Sequence, residues 1–426
     1  MSNTAIRRKE HLETETANVV ENNVIRKWLS LEEVKKIVRN VLNYEVDSIE
    51  YNIRPYSDGK LGYLGSHYRL TVTATTRKKK KVTLPFFLKT LPYEIPVQVE
   101  YVINLGFFKV ETMFYSTLMP ILCEEYRGEP WAPVCYKMKE NLLIFEELNG
   151  KGYTMRDKLF NKTLVRASLS TIAHLHAASL IAEARLGSPL NRLYPDVFSK
   201  RNFDKGYRVR EWFDAGVDVA TTVAERLGHN PDLIRAACEQ VNNIFKTSCT
   251  KTNVVSHGDL WGNNLMFNND VPPKCLLVDY QLTKYLPLAF DVSQFFYLCT
   301  DRSFRETWES AMLRHYYEIL CETLDAHGIG LMQRPAWSEV VDGMEEQRLG
   351  SLITAIIYFP TVLMDEKLNA QIMSDPTSYN EFTFQNRTKF VLSVMEKDSV
   401  YGRRISEAVD ELASLASRLD QLPQPS

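Results

Sequence analysis

The apolar residues change period along the chain, and that change constrains the architecture more than any other feature. From 48 to 91 the runs SIEYNIRPY, HYRLTVTATT and KVTLPFFLKTL are short and rich in Val, Thr, Tyr and Phe, which is the pattern of strands bounded by polar or glycine turns. DGKLGYLGS at 58–66 joins the first two runs and RKKKK at 77–81 joins the next two. Residues 97–122 return to helical spacing, and VCYKMK and NLLIFEEL read as two further strands. After Gly150 the spacing is mainly helical, over about 162–186, 206–228, 231–247, 303–326, 335–358 and 402–419. One hairpin interrupts it, LMF and CLLV around the turn NNDVPP.

These periods predict a two-lobed α+β chain, with a small antiparallel sheet amino lobe and a larger, mainly helical carboxyl lobe. Residues 1–25 read as a flexible tail, 26–148 as the amino lobe and 149–426 as the carboxyl lobe. IRKWLSLEEVKKIVRNVLN opens the first lobe as a helix, because Ser30 with Glu33 three positions on makes a capping box. The polar stretch 365–385 reads as a mobile loop.

Composition narrows the function classes. A formal charge of −2 leaves no electrostatic footprint for nucleic acid or an acidic membrane surface. Seven scattered cysteines, without a CxxC pair or zinc-type spacing, read as reduced thiols of a cytoplasmic protein. The polar amino terminus has no apolar h-region. The stretch 351–364 contains Pro360 and falls short of the ~18 to 20 residues that cross a bilayer, so it reads as a buried helix ending near the proline, and no membrane insertion is expected. The chain is expected to be a monomer.

Four stretches carry chemistry. In HGDLWGNNLMF, Asp259 precedes Asn264 by five residues, and Asp279 follows fifteen residues later in LLVDYQ, beyond the second hairpin strand. Taken singly, either metal-facing residue reads as a polar turn or cap. Together, Asn264 and Asp279 are oxygen ligands of the type and number that Mg2+ accepts alongside water and phosphate, while Asp259 can aim at a hydroxyl. Lys89 ends the apolar strand FFLKT, where a lysine ordinarily snorkels. Glu111 in KVETMFY lies where a helix glutamate could reach back to that ammonium. Gly62, Gly65 and Ser66 of the first turn could offer backbone amides to a polyphosphate, although hairpin turns use glycine in any case. The connection LLIFEELNGKGY could present backbone groups to an adenine edge or be an inert linker. A phosphate cradle, a fixed cation, metal ligands and a hydroxyl-orienting group are what phosphoryl transfer requires.

HGDLWGNNLMF with LLVDYQ resembles the CHK kinase-like, or ecdysteroid kinase-like, family, which is related to aminoglycoside and choline kinases and shares their protein-kinase-like fold. The similarity extends from about 30 to 415 and includes YLGSHYRLTV, FFKVETMFY, LIFEEL, IAHLHAASL and YGRRISEAV. It implies ATP-dependent phosphorylation of a small-molecule hydroxyl, on an ecdysteroid, a xenobiotic or another lipophilic alcohol. By that resemblance Asp259 is the catalytic base or hydroxyl-orienting group and Asn264 and Asp279 hold Mg2+. Lys89 contacts the α- and β-phosphates of ATP, and Glu111 positions Lys89. Gly62, Gly65 and Ser66 belong to the phosphate-covering loop, and Glu146 and Leu148 to the linker whose backbone meets adenine. His257 buttresses the catalytic loop, Asp291 caps the next helix and braces that loop, and His174 and His176 are packed helix residues. Tyr280-Gln281 replaces the Phe-Gly of protein kinases and no APE-like segment follows, which disfavours a peptide substrate. The alternative class is a nucleotide-binding pseudokinase or scaffold that transfers nothing.

Overall fold

A computed structural model describes residues 29–57, 62–198 and 208–425; the tail expected over 1–25 and the head of the first turn, including Gly59, lie outside them. The chain is mixed α+β, with a five-stranded antiparallel sheet in its amino-terminal part and a mostly helical remainder. By contacts it forms two compact units, the described residues of Met1–Pro92 with Val134–Gly150, and Tyr93–Pro133 with Lys151–Ser426.

The first unit is a helix on a sheet. The helix Leu31–Leu42 starts at the expected capping box, with Glu33 N–H donating to Ser30 Oγ at 3.3 Å and Ser30 N–H to Glu33 Oε2 at 2.9 Å. Strands β1 (Val46–Pro55), β2 (Ser66–Thr76), β3 (Lys81–Thr90), β4 (Cys135–Lys139) and β5 (Leu142–Glu146) pair in the order β1-β2-β3-β5-β4. Alternate residues of β2 turn inward, as a half-covered strand requires. Leu70, Val72, Phe86, Leu88, Leu142 and Ile144 from the sheet meet Val34, Ile37 and Val38 from the helix in one apolar cluster.

The segment 93–133, placed with the sheet on sequence grounds, groups with the second unit because it is fastened there. Gln98 Nε2 donates to the Met373 carbonyl at 3.1 Å, Leu277 N–H donates to Trp131 O at 3.0 Å, and the Phe114 ring stacks on Tyr280 at 4.0 Å. Its helical run is also broken. Pro96–Asn104 stops at Leu105, Gly106 takes a left-handed φ of 65°, and Phe107–Met113 passes through a π turn, Phe114–Leu118, into Met119–Cys123.

In the second unit, Asn161 caps the 25-residue helix Lys162–Leu186, which Gly187 ends in the left-handed conformation. This helix has the length and hydropathy of a membrane span by composition, but its apolar residues pack inside the unit against the helix Arg302–Ala326. Ala289–Cys299 is buried on every side and packs against Trp337–Val362. The latter helix ends near Pro360 as expected, two residues beyond it at Val362. The proline sits in the last turn, and its own carbonyl accepts from the Tyr401 hydroxyl at 2.8 Å.

The stretch 365–385 is not a loop. It forms two helices, Glu366–Ser374 and Pro376–Phe384, capped by the carboxylates of Asp365 and Asp375, the second with proline at its first position. The helix expected over 231–247 is two short ones, Pro231–Cys238 and Val241–Ile244. Strands β6 (Asn253–Ser256) and β9 (Lys284–Pro287) pair antiparallel, enclosing in sequence the hairpin of β7 (Leu265–Phe267) and β8 (Cys275–Leu277).

Replacing Ser30 with Ala should remove one half of the capping box and lower stability by about 1 kcal/mol. A urea titration reads this as a lower midpoint with an unchanged slope.

Candidate active site

Within the first unit, Lys89 is buried in the middle strand of the sheet, opposite His67 of β2 and Leu143 of β5. Gly65 lies against it. A methyl group added at Gly65 would stand 3.2 Å from Lys89 Cε and 3.4 Å from the Thr90 carbonyl oxygen, so glycine leaves room for the lysine side chain there. Gly62 has a left-handed φ of 71°, and Ser66 is buried opposite Thr90. The sheet therefore brings the glycine turn and the lysine together.

Glu146 ends β5 and exchanges bonds with Val134, its Oε1 accepting from the Val134 N–H at 2.7 Å and its N–H donating to the Val134 carbonyl at 3.0 Å. Leu148 is buried beyond it. Glu147, to which sequence reasoning gave no side-chain role, holds the connection: its carboxylate accepts from the Tyr56 hydroxyl at 2.7 Å and the Gly150 N–H at 2.6 Å. The signal was an acid three residues before a glycine, the arrangement of a side-chain-closed turn. Glu111 is buried in the helix Phe107–Met113 of the second unit.

The second unit assembles the acidic cluster. The β7–β8 register sets Leu265 opposite Leu277, and Val278 N–H donates to Asn264 O at 3.0 Å, which returns Asp279 to the Asn264 end of the hairpin. Asp279 has φ 70° and ψ 67°, a left-handed conformation that aspartate tolerates better than most residues. Asn264 turns its amide nitrogen onto Asp259, donating to the backbone oxygen at 2.8 Å and to Oδ2 at 2.9 Å. That assignment leaves the amide oxygen of Asn264 available to a cation. The other Asp259 oxygen, Oδ1, is buried and has no hydrogen-bond partner, although Tyr358 and Trp261 stand near enough to favour the charged carboxylate. Burial, and then the neighbouring charge of Asp279, push the Asp259 pKa up to about 7.

The loop that carries Asp259 is fixed from behind. Asp291, fully buried, accepts from His257 N–H at 2.7 Å and from Gly258 N–H at 3.0 Å, and its Oδ2 also accepts from His176 Nε2 at 3.2 Å. Asp291 lies in the first turn of Ala289–Cys299, not at its cap, which is Leu288 without a side-chain bond. Gln294, one turn on, accepts from Leu260 N–H at 2.9 Å. It too was missed, although a second polar residue three positions after Asp291 in an otherwise apolar helix marks one polar face.

Both ring nitrogens of His257 are engaged. Nε2 donates to the Val278 carbonyl at 2.9 Å and Nδ1 accepts from Asp259 N–H at 3.2 Å, so the ring is a brace in one neutral tautomer. His176 is a packed residue between Asp291 and the Tyr316 hydroxyl, and His174 meets Thr323 Oγ1 at 3.2 Å. Gly258, at φ 82°, has no room for a side chain, since an added methyl group would lie 2.2 Å from the Leu282 carbonyl oxygen.

A model of the ecdysteroid kinase-like family matches residues 61–329, more than half of the chain. The chain belongs to the ecdysteroid kinase-like family. The matched region contains the glycine turn, Lys89, Glu111, Glu146 and the cluster of Asp259, Asn264 and Asp279. Similar solved structures include an ethanolamine kinase from Plasmodium vivax, 12% identical over 84% of each chain with a TM-score of 0.39. Another is a putative aminoglycoside phosphotransferase from Ralstonia eutropha, 10% identical over 90% of this chain and 98% of that one, with a TM-score of 0.41. A microcompartment-associated aminopropanol kinase is 10% identical over 91% of this chain and 98% of that one, also with a TM-score of 0.41. Among curated proteins none matches the sequence.

Gly258→Ala should strain this family's loop and lower stability by ~3 kcal/mol. Chemical unfolding of the variant measures it; a loss of only a few tenths would show that Leu282 yields freely.

Proposed function

We propose that this member of the kinase-like family transfers the γ-phosphoryl group of ATP to a hydroxyl of a lipophilic alcohol, an ecdysteroid or a xenobiotic alcohol being the class in view. The observation that carries the reading is the state of Asp259, a buried carboxylate with Oδ2 clamped by Asn264 and Oδ1 beside Tyr358 and Trp261. A group of that kind is poised to accept a hydrogen bond from an alcohol.

The donor set suits Mg2+. Asn264 and Asp279 offer an amide and a carboxylate oxygen, hard ligands of the type that leaves the remaining positions to water and phosphate. Mg2+ held by them would neutralise charge on the transferring phosphates. Asp259 orients the acceptor hydroxyl and takes its proton late in the transfer. Asn264 keeps the Asp259 carboxylate at a fixed angle, and His257, Asp291 and Gln294 prevent the loop from relaxing. For the nucleotide, the reading assigns Lys89 to the phosphates, the amides around Gly62, Gly65 and Ser66 to the same group, and the backbone of Glu146 and Leu148 to adenine. The protein would act in the cytoplasm as a monomer.

Asp259→Asn should retain ATP binding by calorimetry while phosphate transfer, followed by mass detection against a panel of ecdysteroids and other alcohols, falls by ~10²- to 10⁴-fold. Near-normal turnover would overturn the assignment, and a native protein that binds ATP but phosphorylates no alcohol would be the scaffold instead. Removing divalent cations with EDTA should abolish transfer, and Asp279→Asn should raise the Mg2+ concentration needed to restore it.

A further inference from the structure

The stretch YGRRISEAV lies in the helix Ser399–Ala416 and has no part in the proposed transfer, yet it buries a cation. Arg404 is 3% exposed. Its Nη1 donates to the Thr300 carbonyl at 2.6 Å, and its guanidinium lies over the Phe359 ring, 4.8 Å from the centroid. Nε and Nη2 are buried without a hydrogen-bond partner. Burial, and then the charge of Arg305, push the Arg404 pKa down to about 10, which leaves a cation at neutral pH. Buried charged donors that stay unmet are costly, so these two call for an acceptor.

The unmet nitrogens are one edge of the guanidinium, its side-on pair of parallel N–H groups, which matches the two oxygens of a carboxylate. The acids nearby do not fill that edge. Arg305, also buried, donates to the same Thr300 carbonyl at 2.9 Å and takes the carboxylate of Glu411. Asp301 caps the helix Arg302–Ala326, accepting from Phe304 N–H at 2.8 Å. Glu407, half-buried and three residues after Arg404, attracts the guanidinium through its charge, with no hydrogen bond between them among the described residues.

Arg404 lines a cleft in the second unit that holds about 190 Å³ of empty space, part of it open to solvent. Leu352 and Ala355 of the helix Trp337–Val362, with Ala408, give it an apolar wall, and Glu407 and Glu411 give it an acidic one. That volume lies below the ~300 to 1,000 Å³ of pockets for drug-sized ligands, so the occupant is small. Two carboxylates on the wall repel a dianion such as sulfate, whereas a flat monoanion meets the Arg404 edge and leaves a short tail for the apolar wall. Thr300 is the carboxyl cap of Ala289–Cys299, whose first turn holds Asp291. The cleft is therefore about 13 Å along that helix from the residue that braces the Asp259 loop.

We propose that this cleft is a second binding site, for a short-chain monocarboxylate. Arg404 holds the carboxylate as a bidentate pair, and the tail lies against Leu352, Ala355 and Ala408. The site is separate from the cluster around Asp259.

The probes are butanoate, butanamide and sulfate, titrated against the full chain by ligand-observed NMR. Butanoate should bind about 10- to 100-fold more tightly than butanamide, the range of charge-assisted hydrogen bonds, and sulfate no more tightly than the amide. Arg404→Lys keeps the charge and loses the fork, so the preference for butanoate should fall about tenfold. Ala408→Met fills the cleft with Arg404 in place and should remove butanoate binding. Both variants alter packed residues, so Glu407→Gln is the third: it should keep the fold and tighten butanoate binding by removing a like charge. No saturable butanoate binding by the native protein, equal affinities for butanoate and butanamide, sulfate bound more tightly than butanoate, or full butanoate affinity in a folded Ala408→Met variant would overturn the proposal. Binding of butanoate only by Glu407→Gln would overturn it too, because Glu407 itself would then close the Arg404 edge.

Discussion

The carboxylate of Asp291 is the fixed point of the second unit. It is fully buried, so its charge must be met inside the protein, and the donors that meet it are two successive backbone N–H groups of the loop that carries Asp259 and the ring of His176. Its place in the first turn of a helix adds a favourable dipole. The two N–H groups belong to His257 and Gly258, the residues that lead into Asp259, so this carboxylate holds the start of the loop. The left-handed Gly258, the His257 ring bonded to Val278 and Asp259, and the Asn264 amide bonded to Asp259 complete the loop around that anchorage.

The first unit solves a different problem. Lys89 sits in the middle of a sheet, where an ammonium would ordinarily be excluded, and the neighbouring chain is kept thin by Gly65. Beyond β5, Glu147 closes the connecting turn through Tyr56 and Gly150, and the Glu146 backbone is held by its bond to the Val134 carbonyl. Both arrangements trade a side chain's freedom for a fixed backbone surface.

The parts of this molecule governed by local chemistry could be read from sequence. The Ser30–Glu33 box, the alternation of β2 and the hairpin that brings Asp279 back to Asn264 each follow from a few neighbouring residues. Parts governed by distant packing could not. Residues 93–133 look like companions of the sheet in sequence order, yet Gln98, Phe114 and Trp131 find their partners hundreds of residues away or nearly so. β6 and β9 are four-residue strands, too short to show a period, and β6 is largely buried. The stretch 365–385 was misread for another reason: its polarity outweighed Asp365 and Asp375-Pro376, which are helix-start signals in their own right. Asp291 and Gln294 were partly visible, but that they share one task with His257 emerges only when the helix and the loop are seen together.

The crowding at Gly258 bears on how such chains should be searched for. The histidine and aspartate of the motif carry functional groups, so attention falls on them, and the residue between them looks like filler. Here the Leu282 carbonyl occupies the volume that any side chain would need. A chain that keeps the flanking pair but places another residue between them cannot be assumed to trace this loop, and glycine at that position is as diagnostic of the geometry as the acids are of the chemistry.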